Sequence, residues 1–244
     1  MPGKLYLIPN VIAEENFSVV SQYIARTIES IRLFIVEEEK PARVFLKRIN
    51  PQFSAADCTF LLLNEHTPAA EIQKYIKTIA DKNAGIISES GCPCVADPGA
   101  DLVLLAHKHG MELIPLVGPS SITLALMASG LNGQNFAFNG YLPKEKNLRI
   151  KKIKDLERRS AQENQTQIFM EAPYRNDNLL KDVLASCEAA TLLCVACDLT
   201  APTQWIKTAT VNEWRRIEIS LDKRPALFLI QKINSIKHKE SRNG

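Results

Sequence analysis

The chain has 244 residues, of which 45% are hydrophobic and 23% charged, and its formal net charge is +3. Those values belong to a globular protein of one large or two ordinary domains with a substantial core, not to a low-complexity chain. The positive excess is compatible with a polyanionic partner but is smaller than that of a dedicated nucleic-acid domain.

The apolar run Lys4–Pro9 predicts a first strand, followed by the polar loop Asn10–Asn16. Phe17–Ile28 repeats at helical spacing through Val20, Ile24 and Ile28. Arg32–Val36 predicts a second strand that runs into Glu37, Glu38 and Glu39, and Pro41 starts a helix to about Lys47. Thr59–Leu63 predicts a third strand ending at Asn64-Glu65-His66. Thr67 as N-cap and Pro68 at the first helical position then open a helix to about Asp81. Residues 84–121 are the organising stretch: strand Ala84–Ser88, a loop from Glu89 to Gly99, helix Asp101–His109 and strand Leu113–Leu116. Asp97 and Pro98 read as the cap and first position of that helix. A βαβ unit of this kind implies a parallel sheet, whose ligands sit beyond the carboxyl ends of the strands. The loops Glu89–Gly99 and Gly118–Ser121 both leave strands at that end.

By Leu116 a complete α/β domain is expected, residues 1–117, with a hinge at Gly118. A second α/β domain is expected over residues 118–235, with a frayed tail over 236–244. Its elements are a small-residue helix Ser120–Ser129, a strand Asn135–Asn139, the loop Gly140–Lys144 and a basic helix Glu145–Ser160. Strand Gln165–Met170, helix Asn176–Ala185 and strands Thr191–Ala196, Gln204–Thr210 and Ala226–Lys232 follow, which suggests a mixed sheet.

Six cysteines are present. Cys194 and Cys197, like Cys92 and Cys94, could supply a pair of ligands each, but the first pair lies in the apolar run LLCVAC, a buried strand. Buried reduced thiols and no metal are the expectation. No signal peptide is expected, no apolar stretch reaches about 18 residues, and the cytoplasm is the expected compartment.

Several motifs resemble one family. Ser88-Glu89-Ser90-Gly91-Cys92-Pro93-Cys94-Val95-Ala96-Asp97-Pro98-Gly99 follows the pattern S-D-A-G-T-P-x-x-S-D-P-G. Pro115–Ser120 follows P-x-P-G-P-S/C, Gly140–Lys144 with Glu145 follows G-F/Y-L-P-x-K, and Phe169–Arg175 follows F-Y-E-A/S-P-x-R. Ala196-Cys197-Asp198-Leu199-Thr200 follows A-R-E-L-T. In this order and spacing the chain resembles the tetrapyrrole methylase class of S-adenosylmethionine-dependent methyltransferases, and within it the ribosomal RNA small subunit methyltransferase I group. It departs from that group in the first loop, Asn10–Glu14 for T-P-I-G-N, and after strand two, Val36–Lys40 for A-E-D-T-R. It departs again after strand three, where only Glu65-His66 remains of H-E-H-N-E, and at Arg224-Pro225, where the group has G-E.

The resemblance implies two α/β domains with the cofactor cleft between them. It implies methyl transfer from S-adenosyl-L-methionine, leaving S-adenosyl-L-homocysteine, to the ribose 2′-oxygen of a 16S rRNA cytidine in the small ribosomal subunit. It also implies a homodimer. The cofactor neighbours it implies are Pro9, Ile12, Glu89, Cys92, Ser121, Ile122, Met170, Leu199, Pro225 and Ala226. A 2′-hydroxyl needs a base or a solvent route for its proton, and Glu38 and His66 are the candidates, although charged turns are usually just solvated. Lys144, Lys151, Lys152 and Lys154 are candidate phosphate contacts; a solvated helix face is the alternative. The drifted loops leave open a small-molecule, tetrapyrrole-like substrate, a cofactor-binding member without catalysis, or a nucleotide-binding regulatory module.

Overall fold

Two four-residue strands, LFIV and AGII, are buried along their whole length, and the first half of the chain is arranged about them. The structure is a computed structural model that describes residues 2–233; the tail 236–244 lies outside these. The chain forms two compact units that divide between Ser120 and Ser121.

The first unit alternates β1 (Lys4–Ile8), α1 (Gln22–Thr27), β2 (Leu33–Val36), α2 (Glu39–Ile49), β3 (Thr59–Leu62), α3 (Ala69–Ile79), β4 (Ala84–Ile87), α4 (Ala100–Lys108) and β5 (Glu112–Pro115). All pairings in its sheet are parallel, in the order β3-β2-β4-β1-β5. Strands covered on both faces read as unbroken apolar runs, which is why β2 and β4 sit inside and the half-exposed β3 and β5 at the edges. Side chains alternate between two cores. Phe34, Val36 and Ile87 pack with Ile24, Phe45 and Leu46 on one face; Leu33, Ile35 and Ile86 pack with Ile76, Leu102 and Ala106 on the other.

Four helix starts differ from expectation. α2 begins at Glu39, with Glu38 at the N-cap, two residues ahead of Pro41. The Phe17–Ile28 segment is not one helix: a 3-10 turn Phe17–Val19 and extended Val20 and Ser21 precede α1. The β-branched pair Val19-Val20 and the local hydrogen bond from Ser18 Oγ to Asn16 Oδ1 favour that break. Pro68, not Thr67, holds the N-cap position of α3, and the Thr67 hydroxyl instead accepts from the Asn64 N–H at 3.0 Å. Gly99, not Asp97, caps α4; its φ of +128° suits glycine, and a Cβ there would meet Cys94 Sγ at 2.7 Å.

The second unit contains α5 (Ser121–Ser129), β6 (Phe136–Tyr141), α6 (Lys146–Glu163), β7 (Thr166–Met170), α7 (Asn176–Ser186), β8 (Leu192–Cys197), β9 (Trp205–Thr210), α8 (Val211–Trp214) and β10 (Ala226–Gln231). Its sheet is mixed, in the order β6-β7-β10-β8-β9, with β6–β7 parallel and the other pairs antiparallel. Phe169 and Phe228 stack across β7 and β10 with centroids 6.0 Å apart, and the buried Trp214 indole donates to Leu193 O at 2.8 Å. Cys194 and Cys197 are both buried on β8 as free thiols. Three positions apart in a strand, they lie on opposite faces about 10 Å apart, too far to share one ion.

Candidate functional site

At the carboxyl ends of β1 and β4 the two following loops are tied together. Asn10, buried just past β1, donates through Nδ2 to the carbonyls of Ser88 at 3.0 Å and Glu89 at 3.1 Å. The Asn10 N–H donates to Gly91 O at 2.9 Å, and the Gly91 N–H donates to Val11 O at 3.3 Å. Ser88 Oγ also donates to Gly91 O, at 2.7 Å. The turn after β5 joins the group: Cys92 Sγ donates to Pro119 O at 3.5 Å. Gly118 lies so close under Pro9 that a Cβ on it would stand 2.3 Å from the proline Cβ. Pro9, Ile12, Glu89 and Cys92 therefore share one set of interlocked loops.

The same strand ends gather acid. Register pairs Val36 with Ile87, so Glu37 follows β2 beside Ser88 and Glu89. The Glu37 carboxylate accepts from the Glu89 N–H, yet burial pushes its pKa up to about 7, with the charges of Asp97 and Glu89 adding to the shift. Its Oε1 is shielded from solvent and has no partner among the described residues. Asp97 is pushed up to about 6, by burial first and then by Glu89. The loop holding Asp97 carries non-glycine residues in the left-handed region, Cys94 at φ 66° and Ala96 at φ 65°. Such backbone costs on the order of 1–3 kcal/mol per residue and collects at working sites.

Glu38 and His66 lie outside this hydrogen-bonded group. Glu38 is exposed at the N-cap position of α2 and makes no capping bond. His66 is exposed on the loop after β3, 3.5 Å from the equally exposed Glu65.

In the second unit, Met170, Leu199, Pro225 and Ala226 come together at one end of the sheet. Met170 pairs with Leu227, Ala226 pairs with Cys197, and the Asp198 N–H donates to Pro225 O at 2.9 Å. Leu199 is buried between two left-handed residues, Asp198 at φ 50° and Thr200 at φ 70°. The chain after Met170 is fixed by an ion pair between the buried Glu171 and Arg175 at 2.5 Å. Ser121 and Ile122 open α5, whose far end is tied down by Thr208 Oγ1 donating to Ser129 O at 2.7 Å. Just beyond, the Asn132 N–H donates to Gln231 Oε1 at 2.9 Å, at the end of β10 opposite Ala226.

The basic helix is only partly a cationic face. Glu145 caps α6 by accepting from the N–H groups of Asn147 and Leu148, both at 2.8 Å. Arg149, read from sequence as part of the charge run, is buried: it pairs with Asp182 at 2.6 Å and donates to Lys144 O at 2.8 Å, joining α6 to α7. Arg158 and Arg159 pair with Asp155 and Glu163. Lys144, Lys151 and Lys154 are exposed, Lys152 is half-buried, and none of the four forms an ion pair among the described residues.

Sequence reasoning passed over Asn10 and Glu37. Of these only Glu37 had a signal: it is the first of three glutamates after a buried strand, the one that strand register brings beside β4.

No protein-family model matches the chain. It is 29% identical over 181 residues to a ribosomal RNA small subunit methyltransferase I of Vibrio cholerae serotype O1, covering 74% of this chain and 59% of that protein. It is 26% identical over 212 residues to the protein of the same name from Escherichia coli O157:H7, covering 86% and 70%. Among solved structures, the methyltransferase CobJ superposes with a TM-score of 0.59 at 16% identity, covering 94% of both chains. A uroporphyrin-III C-methyltransferase from Thermus thermophilus, in complex with S-adenosylhomocysteine, superposes with a TM-score of 0.52 at 13% identity, covering 94% of this chain and 98% of that one. The solved structures show the fold, which this chain shares with the methyltransferases they describe, and the relatives add likeness in sequence to proteins named ribosomal RNA small subunit methyltransferase I.

Proposed function

We propose that the chain is a methyltransferase that uses S-adenosylmethionine to methylate the RNA of the small ribosomal subunit, at a ribose 2′-oxygen of a 16S rRNA cytidine. The observation that carries this reading is the placement of the motif loops: in a methyltransferase fold, those after β1, β4 and β5 interlock at the strand ends, where ligands of parallel sheets bind. The chain's similarity to proteins named as ribosomal RNA methyltransferases supports the RNA acceptor. No helix of the described residues is long and apolar enough to cross a membrane, and we place the reaction in the cytoplasm.

The residues fit the methyl donor. Gly118 packs directly under the Pro9 ring with no side chain of its own between them, which holds the loops close, and Met170, Leu199 and Ala226 offer apolar surface of the kind adenine takes. In this reading the donor's neighbours are the residues that the resemblance implies: Pro9, Ile12, Glu89, Cys92, Ser121, Ile122, Met170, Leu199, Pro225 and Ala226. The donor supplies a methyl group on a sulfonium. The new O–C bond forms as the C–S bond breaks, and the hydroxyl proton must leave. Glu37, with a pKa of about 7 and a shielded Oε1, suits that proton better than the exposed Glu38 or His66. Lys144, Lys151, Lys152 and Lys154 meet RNA phosphates.

The test is methylation of 30S subunits stripped of their own modifications, with calorimetry of S-adenosylhomocysteine against ATP and NAD. Transfer to the RNA that rises with pH through about 7 is the expected result. Binding of ATP with no heat from the homocysteine product would overturn it. The drift of the loops Asn10–Glu14 and Val36–Lys40 favours a second reading, a small tetrapyrrole-like acceptor, in which the donor binds and 30S subunits stay unmethylated.

A further inference from the structure

We propose that Arg224 is a positioning residue for methyl-donor binding, acting through Asp198 to set the loop that carries Leu199. This rests on the donor-site reading above. The β8–β10 ladder pairs Cys197 with Ala226, so the next residues out, Asp198 on one strand and Arg224-Pro225 on the other, face each other past the end of the sheet. Arg224 Nε donates to Asp198 Oδ2 at 2.8 Å, Nη2 lies 2.8 Å from the same oxygen, and Nη2 also donates to Thr203 O at 3.0 Å. Thr203 Oγ1 donates to the same carboxylate oxygen at 3.0 Å. One guanidinium thus holds both ends of the 198–203 loop, a fork that a lysine point charge cannot copy in full.

That loop needs holding. Asp198 and Thr200 both have positive φ, and threonine, being β-branched, resists that region most. Inside the loop the Thr200 N–H donates to Gln204 Oε1 at 2.8 Å and the Ala201 N–H donates to Asp198 O at 3.0 Å. From behind, Asn176 Nδ2 donates to Arg224 O at 2.7 Å, fixing the arginine backbone. The side chains are sheltered, with Asp198 11% and Arg224 30% exposed, so water competes weakly for the pair. The sequence pattern explains why the device is needed here. The motif that reads A-R-E-L-T in the resembled group has Cys197 in place of its arginine, and the G-E that precedes the last strand is Arg224-Pro225. The cation absent from β8 stands instead on Arg224, two residues before β10, across from the residues that follow Cys197.

The experiment compares wild type with Arg224→Met, Arg224→Lys and Asp198→Asn. Three quantities are read: S-adenosylhomocysteine affinity, amide exchange, and the KM for the methyl donor against kcat. Arg224→Met should bind about tenfold more weakly, with kcat at saturating donor nearly kept. Exchange should quicken at Thr200 and Ala201 and stay unchanged at Leu193–Val195 within β8. Arg224→Lys should recover part of both, and Asp198→Asn should repeat the loss if Arg224→Met does not fold. Wild-type affinity in Arg224→Met or Asp198→Asn, or faster exchange through the whole of β8, overturns the proposal while leaving the donor site standing. A wild-type protein that binds no S-adenosylhomocysteine overturns the donor reading and this inference with it, and that result is visible before any variant is made.

Discussion

Replacing Glu37 by glutamine should stabilise the first unit at neutral and alkaline pH and do little at acid pH. Burial, and then the neighbouring carboxylates of Asp97, Glu89 and Glu38, raise the Glu37 pKa from 4.5 to about 7. Below 4.5 both folded and unfolded chains hold the proton, and Glu37 makes no difference. Between 4.5 and about 7 the unfolded chain ionises while the folded one keeps its proton, so stability falls as pH rises and stays low above 7. The full shift corresponds to roughly 3 kcal/mol at 1.36 kcal/mol per unit. Glu37 is only half-buried, and solvent screening reduces this to about 1–2 kcal/mol. The glutamine oxygen can still accept from the Glu89 N–H. The gain should therefore be about 1–2 kcal/mol at pH 8 and about 1 kcal/mol smaller at pH 5. Asp97, raised to about 6, leaves a residual slope of the same sign. Both tryptophans, Trp205 and Trp214, are in the second unit, so indole fluorescence would report the wrong part of the molecule. Hydrogen exchange at Ile86 and Ile87 on β4 is the suitable assay. Equal or lower protection in Glu37→Gln at pH 8, or the same gain at both pH values, would refute the reasoning.

Four further outcomes are expected. Ser121→Trp should abolish S-adenosylhomocysteine binding by calorimetry while the circular dichroism and unfolding of the protein stay as in wild type; retained binding would move the donor site elsewhere. Changing Lys151, Lys152 and Lys154 to Glu should weaken RNA binding and reduce the slope of log K against log salt by about 2–3, with donor affinity unchanged; an unaltered salt series removes the phosphate-binding role. Gly118→Ala should destabilise the first unit by about 1–3 kcal/mol, because its Cβ would stand 2.3 Å from Pro9 Cβ, and β1 exchange would show it. Light scattering should give twice the 27.2 kDa chain mass, as the homodimer that the resemblance implies would; a single chain mass at micromolar concentration contradicts that.

The parallel sheet was legible because strand, loop, helix and strand follow one another over residues 84–116, a βαβ unit whose strands must run the same way. The mixed sheet was legible from the clustering of strands late in the chain. Contacts between distant residues left no trace in local pattern. Asn10 looks like an ordinary loop residue, and its partners Ser88 and Glu89 are 78 and 79 positions away. The choice among Glu37, Glu38 and Glu39 is set by strand register, and composition cannot supply it. Asp97-Pro98 has the form of a helix start, but Gly99 takes the cap and leaves the Asp97 carboxyl half-buried near Glu89. Arg149 and Lys151 look alike in a charge run, yet one is an interior strut and the other solvated, because Asp182 on α7 faces only the first.

The way the thiols are distributed makes them a two-channel chemical reporter. Cys58, Cys187, Cys194 and Cys197 are buried, and burial pushes Cys187 up to about 12 and Cys197 up to about 11, so almost no thiolate is available for alkylation in the folded state. Those four become reactive only as their unit unfolds. Cys92 and Cys94 are half-buried on the strained loop after β4, one hydrogen-bonded to Pro119 and the other packed against Gly99. Their alkylation rate follows the opening of that loop alone, so a single labelling time course, read by mass, separates movement at the strand ends from loss of the fold.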